Sequence, residues 1–196
     1  MKLNLPPITL GLIIACFATY VAQQHYGAVI TRQFALWPFG PFFRIWQPVS
    51  YFFLHTSDLT LILDMFGLYM FGQNLERFWG AQRYLALILI STMTAALTQQ
   101  LVTYANGAIF PLLGAGSLGG LIVAFALSFR DGYVLPLFLP IPMKPWVFVA
   151  LIAAFELFCV ATSTLAHNAH LANLGGMLGA ALLIALWRFA VPATQP

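Results

Sequence analysis

Runs of apolar residues long enough to cross a lipid bilayer, separated by very few charges, constrain this chain more than any other feature. A spanning helix takes roughly 20 mostly apolar residues, because each adds roughly 1.5 Å across a hydrocarbon core of roughly 30 Å. Six segments meet or approach that requirement: residues 8–26, 59–72, 84–104, 115–129, 146–162 and 169–189. The expected fold is therefore an all-α integral membrane protein with six transmembrane helices. The second and fourth segments are short, which predicts helices that stop or begin inside the protein around a polar cavity, where irregular backbone is tolerated at membrane depth. With 61% hydrophobic and 7% charged residues in 196, the chain lacks the polar surface to cover a soluble globule.

The few charges are informative by position. Lys2, Arg77, Arg83, Arg130, Lys144 and Arg188 fall on one side of the predicted spans, and Arg32 and Arg44 on the other. Basic residues gather on the cytoplasmic side, so both termini are expected to be cytoplasmic. Eight basic residues scattered singly make no basic face, which excludes nucleic acid as a partner. Residues 27–47 carry Trp37, Pro38, Phe39, Pro41, Phe42, Phe43 and Trp46. That stretch is too aromatic and proline-broken for a span and is expected to be a membrane-embedded loop at headgroup level. The first apolar run has one preceding charge and no small-residue cleavage site after it, so it reads as a retained span. No repeat or low-complexity linker divides residues 1–196, which are taken as one domain. Cys16 and Cys159 sit in apolar runs and behave there as small hydrophobes.

Three ordered stretches are specific. They are Ile45-Trp46-Gln47-Pro48-Val49-Ser50-Tyr51-Phe52-Phe53-Leu54-His55, then Phe71-Gly72-Gln73-Asn74-Leu75-Glu76-Arg77-Phe78-Trp79-Gly80, then Ile141-Pro142-Met143-Lys144 followed by Glu156-Leu157-Phe158 and Leu174-Gly175-Gly176-Met177-Leu178. Together they resemble the rhomboid family of intramembrane serine proteases, over about residues 45–188, as in many bacterial members. The resemblance implies a six-helix rhomboid fold in a bacterial inner membrane, with transmembrane segments of other proteins as substrates or clients beside the lipids themselves. It implies no cofactor. A serine at the start of the fourth helix attacks a peptide carbonyl, a histidine on the sixth acts as base, and donors from the second helix stabilise the oxyanion.

The chain departs from the family pattern at those positions. The family's second helix reads His-x4-His-x3-Asn; here the first His is His55, and the other two positions read Thr60 and Asp64. Ungapped matching places Leu113-Gly114-Ala115-Gly116 on the family's Gly-x-Ser-Gly, with Gly120 on a later small site, so the nucleophile position reads Ala115. On the sixth helix Ala169-His170-Leu171-Ala172-Asn173-Leu174-Gly175-Gly176 matches Ala-His-x-Ala-His-Leu-Gly-Gly, so the base position reads Asn173. His55 and Gly116 border the substrate and oxyanion neighbourhood. Ala115 has no nucleophilic atom, and the Asn173 amide has no nitrogen that titrates near neutral pH. The expectation is an inactivated variant or a pseudoprotease.

A competing active register takes Ser117 as nucleophile and His170 as base. It turns the first position by about 200° along the helix, and it puts Leu118, Asn173 and Met177 where the family has small residues. Gly116-x3-Gly120 and Gly175-x3-Gly179 are expected to let the fourth and sixth helices approach closely, with Gly176 beside them. His167 and His170 lie one turn apart and could be imagined with Asp64 as a metal site, but no third strong ligand of known spacing joins them, so no metal site is expected. Asp64 and Glu156, within predicted spans, are expected to face the bundle interior. Too few polar residues follow one path to argue a channel.

Overall fold

A computed structural model of the chain describes residues 5–107, 110–114, 117–135, 141–162 and 167–190, without the side chains of Asn106, Ser117, His167, Asn168, Phe189 and Ala190. The helices are α1 (Pro7–Phe34), α2 (Gln47–Ser50), α3 (Asp58–Gly67), α4 (Gln73–Trp79), α5 (Ala81–Asn106), α6 (Ser117–Ser128), α7 (Pro145–Thr162) and α8 (His167–Ala190). A 3-10 turn follows α2 over Tyr51–Phe53, and a π-helical turn over Leu68–Gly72 joins α3 to α4. No β-strand occurs among the described residues; two isolated backbone pairings, Leu36 with Leu112 and Val134 with Met143, pin the loops.

Among the described residues, four helices are long and apolar enough to cross a membrane: Pro7–Phe34, Ala81–Ala105, Pro145–Thr162 and Ala169–Arg188. The other two expected spans behave differently. The fourth is a shorter apolar helix, Leu118–Ser128. The second does not stop at residue 72 but continues through the π turn into α4 and ends at Trp79, where Gly80 at φ +78° turns the chain into α5. The π turn lies between two glycines whose bare backbones meet neighbours: a Cβ on Gly67 would collide with the Leu118 side chain, and one on Gly72 with the Tyr84 ring.

The interfacial loop also begins later than expected. Tyr26 leaves helical geometry (φ −124°, ψ 28°), but residues 27–34 resume the helix beyond that kink. The loop proper is held by two glutamine side chains. Gln47 donates to the Phe42 carbonyl at 2.9 Å and accepts from Trp37 N at 3.3 Å, while Gln100 of α5 accepts from Phe39 N at 3.1 Å and donates to the Trp37 carbonyl at 2.8 Å. At the other end of α1, the Glu76 carboxylate accepts from Ile8 N, Thr9 N and Thr9 Oγ1 at 3.0, 2.7 and 2.7 Å. An anion there satisfies otherwise orphaned donors and meets the positive end of the helix dipole.

The helices α5, α6, α7 and α8 form the packed half of the bundle, with α8 touching the other three. The Gly175–Gly179 pair does not serve the approach to α6 that its spacing suggested. Cβ atoms there would collide with Thr98 and Thr94, so these glycines admit α5. Gly176 is buried on the same helix. The approach of α6 to α8 rests on Gly119, where a Cβ would lie 2.7 Å from Met177 Cγ and 3.5 Å from the Asn173 carbonyl oxygen; one on Gly120 would collide first with Ser91 of α5, 2.7 Å from its Cβ, and lie 3.3 Å from Ala180 Cβ of α8.

Candidate functional site

The site builds from three helix ends. Ser57 caps α3, its hydroxyl accepting from Thr60 N at 3.3 Å, while Thr60 Oγ1 accepts from Ser57 N at 3.1 Å and donates to the Ser57 carbonyl at 2.8 Å. This reciprocal capping box gives Thr60 a local task at the helix end. One turn on, Asp64 Oδ2 lies 3.2 Å from Nε2 of His55, whose side chain is 1% exposed. His55 is fixed from α1 as well: Gln23 accepts from its backbone N and donates to its carbonyl, both at 3.1 Å, and the Tyr20 ring meets its imidazole edge-on. Tyr20 in turn donates to Asp58. His55 and Asp64 line a narrow cavity with Cys16, Phe52, Leu118 and Leu121, and His55 Nδ1 has no hydrogen-bond partner among the described residues.

The second cluster lies between α7 and α8. Glu156 Oε2 is 2.6 Å from His170 Nδ1, and Glu156 Oε1 accepts from Asn173 Nδ2 at 3.0 Å. The Glu156 side chain is 11% exposed and that of His170 21%. One carboxylate thus receives both candidate residues of the sixth predicted span. Nothing in the sequence ties it to them, because the three residues sit on two helices with no shared spacing signal; the clue was only a lone acid inside an apolar run, where a partner is needed.

The start of α6 separates the two clusters. Leu118 faces Gly67 and the His55–Asp64 cavity, while Gly119 faces Asn173 and Met177. The segment before it is held by the end of the interfacial loop: Gly114 N donates to the Tyr51 carbonyl at 2.9 Å, and Gly114 takes φ +63° where a Cβ would collide with the Leu54 carbonyl. Ala115 and Gly116 lie outside the described residues, as does the Ser117 side chain. The structure therefore brings His55 to Asp64 and His170 to Asn173, and sets both pairs against the first turn of α6. No group of three or more His, Cys, Asp or Glu side chains among the described residues is arranged to hold a metal ion.

Residues 43–189 match the Rhomboid domain family. The chain belongs to the rhomboid family. Among curated relatives, it is similar to the rhomboid protease GlpG of Yersinia pestis (strain Pestoides F), 27% identical over 115 residues, which are 55% of this chain and 41% of that protein. It is also similar to the rhomboid protease GlpG homolog of Cronobacter sakazakii (strain ATCC BAA-894), 31% identical over 130 residues, 65% of this chain and 42% of that protein. The chain thus spans less than half the length of these relatives. The membership agrees with an all-helical rhomboid domain carrying several membrane-length apolar helices.

Proposed function

We propose that this chain is a rhomboid-fold membrane protein that holds transmembrane segments of other proteins without cleaving them. The observation that carries this reading is the placement of Asn173. Its backbone carbonyl lies against Gly119, on the face of α8 turned toward the start of α6, and its amide is bound to Glu156. An amide there cannot accept a proton near neutral pH. In the family register the nucleophile position reads Ala115, and a methyl group offers no nucleophile. Asp64, at a position where the family has an oxyanion donor, is instead engaged with His55. An ionised carboxylate in that place opposes a developing oxyanion.

A second reading is favoured by one contact. Glu156 on His170 Nδ1 is the arrangement in which a carboxylate orients an imidazole and leaves Nε2 to take a proton, as in a serine protease triad. In that reading Ser117 is the nucleophile and the chain is an active intramembrane protease. In both readings the chain is one rhomboid-like domain, residues 1–196, that crosses a bacterial inner membrane six times with both termini in the cytoplasm. Both need no cofactor.

A serine-reactive fluorophosphonate probe separates them. The first reading expects no covalent labelling of the purified protein; labelling that disappears in Ser117→Ala establishes the second.

A further inference from the structure

Beyond the kink at Tyr26, α1 and the loop that follows enclose an open notch of about 520 Å³ lined by Gly27, Ala28, Thr31, Arg32, Trp37 and Phe42. We propose that this notch is a binding site for an anionic phospholipid, with Arg32 holding the headgroup phosphate and the floor at Gly27 and Ala28 taking the glycerol and the top of an acyl chain.

Charge selects the ligand. No acidic residue occurs in the sequence before Asp58, and the residues that line the notch include one cation and no carboxylate. Arg32 is exposed, and the ion pairs formed among the described residues involve His55 with Asp64 and His170 with Glu156, not this arginine. Its guanidinium carbon lies over the Phe42 ring, 5.5 Å from the centroid. Stacking on an aromatic face orients the planar fork of donors, and a fork of that kind matches the oxygens of a phosphate. Arg44, the other arginine of this region, is already occupied: its Nη1 donates to the carbonyls of Pro41 and Phe43 at 3.2 and 3.1 Å.

Position and rigidity select the lipid rather than a protein segment. The notch opens just past the end of the first predicted span, in a stretch of chain that exposes the side chains of Tyr26, Phe39 and Trp46, the composition of a headgroup-level belt. Its walls are preformed. Trp37 Nε1 donates to the Thr31 carbonyl at 3.2 Å, its ring lies 5.1 Å from that of Phe42, and its backbone is clipped by Gln47 and Gln100. The floor is open, since a Cβ built on Gly27 meets nothing within 4 Å. A docked helix is roughly 10–12 Å across and needs a long trough; six lining residues, one of them a cation, fit a single headgroup.

Native mass spectrometry of the purified protein tests this, after incubation in detergent with equal amounts of phosphatidylglycerol and phosphatidylcholine carrying the same acyl chains. The wild type should retain phosphatidylglycerol over phosphatidylcholine by about fivefold, the factor expected of one well-placed cation. Arg32→Gln should bring the two lipids to parity, and Arg32→Lys should keep part of the preference. Gly27→Leu, which fills the notch without changing charge, should remove the retained lipid, and Arg44→Gln should leave it. Equal retention by the wild type, a preference that survives Arg32→Gln or Gly27→Leu, or a loss in Arg44→Gln as large as in Arg32→Gln overturns the proposal.

Discussion

Glu156 on α7 and His170 on α8 meet with a carboxylate oxygen 2.6 Å from the imidazole Nδ1, and the same carboxylate accepts from Asn173 one turn further along α8. This single acid ties the two helices together and holds both His170 and Asn173.

The first prediction follows from that joint. Glu156→Ala leaves an imidazole and an amide in a largely buried setting without their shared acceptor, a loss worth about 3 kcal/mol. Glu156→Gln keeps one carbonyl acceptor for Asn173 and should lose less than half as much. Reversible unfolding in mixed detergent micelles measures both. Equal stability of Glu156→Ala and wild type would mean that the joint contributes nothing.

Glu76 sets the second prediction. Its carboxylate receives three hydrogen bonds from Ile8 and Thr9 at the start of α1, between elements far apart in sequence. Glu76→Ala should cost at least 3 kcal/mol, because charged hydrogen bonds are each worth about 1.5–3 kcal/mol. Glu76→Gln should fall between. Proteolytic nicking near residue 7 is expected to rise in the alanine variant, and an unchanged cleavage pattern would count against the role.

Glycine contacts give a third, comparative prediction. A methyl group on Gly175 or Gly179 meets the Cβ atoms of Thr98 and Thr94 at 2.7 Å, where α5 and α8 have no room to give. Alanine at either position should cost about 1–3 kcal/mol. Gly11, in α1, has nothing within 4 Å of its ideal Cβ, so Gly11→Ala should be neutral or slightly stabilising. Thermal unfolding of the three variants side by side checks the contrast.

Topology yields the fourth. Single cysteines at Gln82, Phe110 and Asp131, in a background lacking Cys16 and Cys159, bracket α5 and α6. Gln82 and Asp131 should label from the cytoplasmic side and Phe110 from the opposite side, as expected from the distribution of arginine and lysine. Labelling of Phe110 and Asp131 from the same side would remove α6 as a crossing.

These predictions divide along what a sequence can carry. The long apolar helices are legible because lipid demands both length and hydrophobicity, and α5, α7 and α8 begin and end within a few residues of expectation. The kink at Tyr26 coincides with the end of the first expected span, yet the helix beyond it is not legible in the sequence, because Gly27, Thr31 and Arg32 suit an interfacial helix and an interfacial loop alike. The π turn at Leu68–Gly72 depends on what Gly67 and Gly72 pack against, which no local pattern states. Small-x3-small spacing marks Gly175 and Gly179 as a close-approach face but does not name α5 as the helix approaching. The same limit hid Glu156, whose partners are defined only once α7 and α8 lie side by side.

A scaffold that survives without its chemistry, as proposed for this chain, has a direct measurement: cleavage of a model transmembrane substrate by the purified protein in liposomes. The unmodified chain should cleave nothing, and Ala115→Ser alone should remain nearly inert, because a hydroxyl without a base is barely nucleophilic at neutral pH. Adding Asn173→His should give measurable cleavage. Asp64→Asn with Thr60→His should then raise the rate by about 100-fold or more, through the restored oxyanion donors. Cleavage by the unmodified chain that Ser117→Ala abolishes would contradict the account.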